Sequence, residues 1–319
     1  DAEAIARGRS RVTRVTGAGL AAALVLAALA GWQWRVSTLA GAEATRQRDR
    51  AERALKAATT TADGLVFDLA QKFRDATGVP KPVVRDILDR ARRLQEQLID
   101  AGEKTSDLGA DHAAALGETA ETEMAIGDLA TAFDLIRRAR DTYRDLAAAT
   151  PDLVRNVHGL ARSEDLLGLV EERRGHPAEA EAAWARGEAA LAAAAARGLS
   201  DPRLTQLAAT ILEDKGVAAR QRGDFAAALD ALERGLAIDQ KLVQDHPDDL
   251  AFRHNLATAH RNVGDVALAT GDVETADARF AAAGEIAAAL LRENPGNSLL
   301  TRDFTLSRER SGEALQRKG

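Results

Sequence analysis

Residues 262–295 read NVGDVALATGDVETADARFAAAGEIAAALLRENP, and this stretch contains the features that decide the fold. The dipeptide Gly271 and Asp272 separates two runs rich in alanine and leucine, and Pro295 closes the second run. Such runs favour helix, whereas glycine can end a helix in the left-handed conformation and aspartate can cap the next one. The stretch therefore predicts two helices joined by a tight turn.

The same pattern recurs along the chain with a step of 48 residues. Four series keep this step: the turn glycines, a column of alanine, a column of tiny residues and a column of bulky ones. The turn glycines are Gly127, Gly175, Gly223, Gly271 and Gly319, and the alanines are Ala132, Ala180, Ala228 and Ala276. The tiny residues are Ala120, Gly168, Gly216, Gly264 and Gly312, and the bulky ones are Ile136, Trp184, Leu232 and Phe280. A fixed period of this size predicts a helical repeat array over 102–319, with four helical pairs and a final first helix.

Each series has a mechanical reason. Tiny residues are expected where two helices cross, because they let the backbones approach closely, and the bulky residue lies one turn after the repeated alanine. Asp128, Asp224 and Asp272 are expected to cap the second helices, with His176 as the exception. Prolines such as Pro247 and Pro295 are expected to separate one pair from the next.

The glycine–aspartate turn, the alanine five residues later, the bulky residue four further on and the closing proline resemble the tetratricopeptide family. The resemblance covers about residues 105–319 and is most specific in the last two units. It implies an all-α, right-handed α-α superhelix of hairpins that presents a surface for proteins or peptides. The period exceeds the family's usual 34 residues, which implies longer helices and a different curvature.

The composition agrees with an all-helical chain that has no large aromatic core. A net charge of -6 and a pI near 5.7 leave no basic surface of the kind that phosphate backbones require, so we expect no nucleic-acid partner. The chain has no cysteine, which excludes disulfides, thiolate metal sites and a cysteine nucleophile.

An uncharged segment near the start predicts a transmembrane helix over 15–34. Its length suits a bilayer of about 30 Å, with arginines before it and Trp32 and Trp34 at its end. The arginines favour slightly a cytoplasmic N-terminus. A signal peptide cleaved after a sequence ending in Ala30 is the alternative interpretation. We expect a single-pass protein of a bacterial inner membrane, and the side that bears the repeats stays open.

Small residues recur every four positions within that segment, at Gly19, Ala23, Ala27 and Gly31. Such a stripe lets a second helix approach closely, which makes a homo-oligomer plausible. An alanine-rich segment can also produce this stripe by chance.

The residues around the predicted span divide into three further segments. We expect a basic juxtamembrane segment over 1–14, a charged helical stalk over 35–59 and a capping helical hairpin over 60–101.

The span, 47–55 and 64–75 together resemble the C-terminal part of bacterial multidomain signalling proteins. In those proteins a TIR, caspase-like or STAND NTPase module precedes the membrane span and the repeats. Because the chain begins with Asp1 rather than methionine, we expect it to be an excerpt of a longer protein. The alternative function is therefore regulation of an effector whose enzymatic domain lies upstream, and a third is a membrane-anchored assembly scaffold without a discrete ligand.

Within the chain itself the sequence gives no arrangement of catalytic residues. A phosphate-binding glycine loop is absent, and His254 and His260 are spaced so that they do not share a helical face. Glu118, Glu121 and Glu123 are interpreted as a solvated face. We therefore expect no enzymatic activity, no metal and no cofactor in these residues.

The binding surface is expected on the first helices, which line the concave side of such arrays. The candidate partner-binding residues are Arg162, Arg173, Arg220, Arg261 and Asn262. Their donors suit an acidic peptide segment or a chain-terminal carboxylate. Alternatively, they are ordinary solvated charges paired with neighbours such as Glu164, Glu172 and Glu213.

Overall fold

A computed structural model describes residues 106–318, and these residues form nine α-helices and no strand. The helices are α1 (Ser106–Ile126), α2 (Leu129–Ala149), α3 (Val154–Arg173), α4 (Pro177–Ala196), α5 (Pro202–Gln221), α6 (Phe225–Asp245), α7 (Leu250–Thr270), α8 (Val273–Glu293) and α9 (Ser298–Lys318). The predicted all-α class is confirmed for this part of the chain.

Short glycine turns join the two helices of each pair, as the sequence predicts. At Gly223 the backbone has φ 82°, a left-handed conformation that glycine adopts without strain. The side chain of Asp224 then accepts a hydrogen bond from the Ala227 N–H at 3.1 Å and caps α6. His176 makes no such bond at the start of α4, where Pro177 occupies the first turn instead.

The helices pack as a stack of antiparallel pairs. Within each pair the second helix folds back along the first, and it then packs against the first helix of the next pair. First helices also contact one another directly, α1 with α3, α3 with α5 and α5 with α7, whereas second helices make no comparable contact in the described region. The first helices therefore share one continuous face.

The tiny and bulky columns meet inside each pair. A Cβ atom added to Gly168 would lie 2.3 Å from Trp184 Nε1, and Trp184 is completely buried. A Cβ atom added to Gly264 would likewise lie 2.7 Å from the Phe280 ring. The prediction that tiny residues mark the helix crossings is therefore confirmed at Gly168, Gly216 and Gly264, where the bulky side chain fills the space that the missing side chain leaves.

The prediction of a single-pass membrane protein is corrected at this point. Among residues 106–318, no helix combines the length and the apolar character needed to cross a bilayer. The predicted segments 1–14, 15–34, 35–59 and 60–101, and the stripe of Gly19, Ala23, Ala27 and Gly31, lie outside the described residues.

Candidate functional site

A groove of about 460 Å³ lies on the shared face of the first helices, between α1 and α3. Small residues contribute to its lining, namely Ala113 and Gly117 of α1 and Gly159 of α3. Tyr143 of α2 and Leu166 of α3 also line it. Arg203, at the start of α5, lines it as well. The groove therefore combines an apolar lining with polar groups at its edges, as ligand sites commonly do.

Tyr143 belongs to the rigid part of this groove. Its ring lies directly beneath Gly159, where an added Cβ atom would come within 2.3 Å of the ring. Its hydroxyl donates a hydrogen bond to the Ala110 carbonyl at 2.9 Å. Burial raises the pKa of Tyr143 to about 12, so the phenol stays neutral and keeps this bond throughout the physiological range. The α1–α2–α3 contact is thus fixed before any ligand arrives.

Three arginines line the groove, and each is held by a carboxylate. Arg162 donates to Glu121 at 2.8 Å and to the buried Asp165 at 2.7 Å. Arg203 donates from Nε and Nη2 to the two oxygens of Asp201, both at 2.9 Å.

The third arginine is Arg155, which contacts Asp111. The exposed fractions of the three arginine side chains differ: 33% for Arg162, 42% for Arg155 and 67% for Arg203. Arg162 is therefore fixed, whereas Arg203 can exchange partners at low cost.

His158 is the group in the groove that lacks a partner among the described residues. Burial lowers its pKa, and the charges of Arg162 and Arg203 lower it further, while Asp201 acts in the opposite direction. The imidazole is consequently neutral at pH 7 and offers one N–H donor. A neutral donor near two guanidinium groups suits the acceptor atoms of a carboxylate ligand.

The structure separates the candidate residues that the sequence predicted. Arg162 lies in the groove. Arg173, at the end of α3, donates to the Met124 carbonyl at 3.3 Å. Arg317 occupies the same repeat position and donates to the Leu268 carbonyl at 3.2 Å. This position therefore caps the end of the preceding first helix in two places along the array.

The other three candidates lie on later helices, away from the groove lining. Arg220 of α5 has a buried Nε without an acceptor among the described residues. Arg261 of α7 lies 3.7 Å from Asp303, and Asn262 follows it on the same helix. These assignments as partner-binding residues stay predictions.

The sequence reasoning missed Arg155, His158 and Arg203. One signal was available, because Arg155 and Arg203 are 48 residues apart and so occupy the same place in consecutive repeats. His158 and His254 likewise share a repeat position, although His254 contacts Asp303 at 2.6 Å and is not free to bind. The interpretation of the glutamates on α1 also needs correction, since Glu123 is only 2% exposed.

Within residues 106–318, no cluster of three or more histidine, aspartate or glutamate side chains has a geometry that could hold a metal ion.

Four features of the described helices occur together: antiparallel pairs, a glycine–aspartate turn, a tiny residue against a bulky one, and direct contact between first helices. The described helices form a tetratricopeptide-type array. No protein-family model matches the chain, and no curated protein matches it.

Among solved structures, the array is similar to BtubC (BKLC) from P. vanneervenii, with 20% identity, 73% of this chain and 90% of that chain covered, and a TM-score of 0.49. It is also similar to TTC0263, a thermophilic TPR protein in Thermus thermophilus, with 17% identity and a TM-score of 0.41. That match covers 81% of this chain and 99% of TTC0263. A third similar structure is the S. pombe nuclear import adaptor Nro1, with 13% identity and a TM-score of 0.49. That match covers 81% of this chain and 90% of Nro1.

Proposed function

We propose that this array is a protein-interaction module that binds an extended peptide segment in the groove between α1 and α3, and that the segment is recognised by a carboxylate. The observation that carries the proposal is the position of His158, whose neutral ring has a donor to offer and lies in the groove with Arg162 and Arg203. The carboxylate is an acidic side chain or the end of a chain, since both present the same acceptor atoms.

The contacts of the arginines assign each a different part in binding. Arg203 is largely exposed and its present partner Asp201 belongs to the same turn, so a ligand carboxylate can replace that partner. An exposed ion pair contributes about 0 to 1 kcal/mol, which makes the exchange inexpensive in free energy. Arg162 is held by the buried Asp165, so it contributes to the potential and not a free hydrogen bond.

The apolar lining supplies the rest of the proposed recognition. Ala113, Gly117 and Leu166 offer contact surface without donors, which suits small apolar side chains on either side of the carboxylate. Because Tyr143 is already bonded to the Ala110 carbonyl, the lining does not need to rearrange when the peptide binds. A preformed lining reduces the entropy lost on binding.

The test is selection from a randomised peptide library by the full chain, once with free and once with amidated C-termini. Selected peptides are expected to be enriched in aspartate or glutamate, or to depend on the free C-terminus. His158→Ala combined with Arg203→Ala is expected to weaken binding of a selected peptide by about tenfold or more, because two charge-assisted or directed bonds are lost.

The matched control is Arg234→Ala, which removes a guanidinium that is 61% exposed on the second helix α6. It should leave the affinity unchanged. Selected peptides without any carboxylate preference, or equal binding by the double variant, would contradict the proposal. Regulation of an upstream effector domain stays a prediction, since no contact among the described residues favours it.

A further inference from the structure

Four carboxyl groups meet where α3, α5 and α6 pack together. Asp165 of α3 is completely buried, and Asp239 of α6 is 1% exposed. Between them lie Glu213 and Asp214, adjacent residues of α5 that turn toward different neighbours. The charge of Asp165 acts on Asp214, and the charge of Asp239 acts on Glu213.

The positive charge around these groups is insufficient to balance four carboxylates. Arg162 faces Asp165 and Asp214, yet it also pairs with Glu121. Arg261 acts on Glu213 from α7, yet it also faces Asp303.

Arg173 also acts on Asp214, and it donates a bond to the Met124 carbonyl. A buried carboxylate without a full counter-charge is unfavourable by several kcal/mol, so some of these groups must be neutral.

The hydrogen bonding identifies which atoms require a proton. Neither oxygen of Asp239 accepts from an N–H or hydroxyl group in the described region, and the same holds for Oε1 of Glu213. Buried polar atoms are almost always satisfied. A carboxyl oxygen can donate only when it is protonated, so a proton on the facing carboxyl is the available donor.

We propose that Glu213 and Asp214 each keep a proton at neutral pH and donate it to Asp239 and Asp165, so that two shared protons hold α5 to α6 and α3. The junction loosens as the pH rises and these protons leave. It is a pH-sensitive connection inside the array, next to Arg162 of the groove, and it does not depend on what the groove binds.

The charges around the first pair agree with this assignment. Burial, followed by the charge of Asp165, raises the pKa of Asp214 well above its usual range, and Arg162 and Arg173 oppose the shift. Burial also raises the pKa of Asp165, but the charge of Arg162 and its hydrogen bond to Asp165 at 2.7 Å oppose this shift. Asp165 therefore already accepts a bond from Arg162, and it is the acceptor of the pair.

The second pair shows the same division between donor and acceptor. Burial, followed by Asp239 and Asp214, raises the pKa of Glu213 well above its usual range, and Arg261 opposes it. Burial raises the pKa of Asp239 to about 6, and its bond to Glu213 opposes the shift. The acceptor of this pair, Asp239, therefore titrates within the pH range of an unfolding experiment.

The direction of the pH effect follows from proton linkage. When the folded-state pKa of a carboxyl is raised, the native chain binds more protons than the unfolded chain between the ordinary carboxyl pKa and the raised one. The stabilising contribution is complete below the ordinary pKa of about 4 and is lost as the pH rises through the folded value. As the pH rises from the ordinary pKa to the raised one, each such group lowers the folding equilibrium constant by up to about tenfold per pH unit.

The experiment measures urea unfolding of the full chain between acidic and alkaline pH, for wild type, Asp214→Asn and Glu213→Gln. An amide donates as the protonated carboxyl does but does not titrate, so each variant should unfold at higher urea than wild type at alkaline pH. Each should also flatten the pH dependence. Glu233→Gln, at an exposed position of α6, is the matched control and should change neither property.

Infrared spectroscopy of the wild-type chain at neutral pH supplies a second readout that does not require a variant to fold. A band of protonated carboxylic acid is expected, and its intensity should fall in Asp214→Asn and in Glu213→Gln. Absence of that band in wild type would overturn the proposal. So would an amide variant that is less stable than wild type at alkaline pH.

Discussion

Replacing Gly168 with alanine is expected to destabilise the array by about 3 kcal/mol, near the upper end of overpacking effects. The added Cβ atom would lie 2.3 Å from Trp184 Nε1 and 2.4 Å from its Cε2, far inside van der Waals contact. Trp184 is completely buried, so its ring cannot move into solvent, and α3 must separate from α4 instead. Urea unfolding of the two proteins would measure the loss.

Gly312 provides the matched control for this substitution. It occupies the same repeat position on α9, but nothing lies within 4 Å of an added Cβ atom there. Gly312→Ala should therefore stabilise the chain by about 0.5 to 1 kcal/mol, because alanine is the better helix former. Similar effects of the two substitutions would show that helix propensity, and not the crossing with Trp184, determines the outcome at this position.

The opposite signs of these two effects also show how much of the fold a periodic sequence predicts. A step of 48 residues places Gly168 and Gly312 in one series and assigns both to helix crossings. The crossing exists only where a second helix follows in the described chain, as α4 follows α3. The repeat thus predicts that both glycines lie at equivalent positions of a helix. Whether a bulky side chain packs against that position depends on the helix that follows.

The groove was less accessible to sequence reasoning. Its lining combines Ala113 and Gly117 of α1 with Gly159 of α3, and a linear pattern does not show which residues of two helices line the same groove. The hydrogen-bond donors that line the groove also come from different helices, since Arg203 belongs to the start of α5. Arg162 was found because it lies on a first helix, whereas His158 looked like one of several scattered histidines.

The buried carboxyls were hidden for a different reason. The sequence presents Glu213 as a possible solvated partner of an arginine, and its repeat series contains Asp165 and Arg261, so the charge at this position is not constant along the array. It is half-buried, and Asp239 of the neighbouring helix α6 acts on it. Charge patterns on one helix do not reveal what the next helix presents.

The first pair of the array suggests how the Trp184 crossing can be rebuilt. There the tiny residue is Ala120 and the bulky one is Ile136, and both are completely buried. Trp184→Ile alone should destabilise the chain by about 3 kcal/mol, because it leaves a cavity against Gly168 that the rigid crossing cannot close. Urea unfolding measures this loss directly.

Combining Trp184→Ile with Gly168→Ala installs the residue pair of the first crossing in the second. The alanine methyl group enters the space that the indole vacates, so each substitution removes part of the other's defect. The double variant should then be more stable than the sum of the single effects predicts by about 1 to 3 kcal/mol, the range of coupling between residues in contact. Additive effects would mean that the α3–α4 crossing tolerates either residue independently, and that the alternation of tiny and bulky columns along the array has no energetic basis.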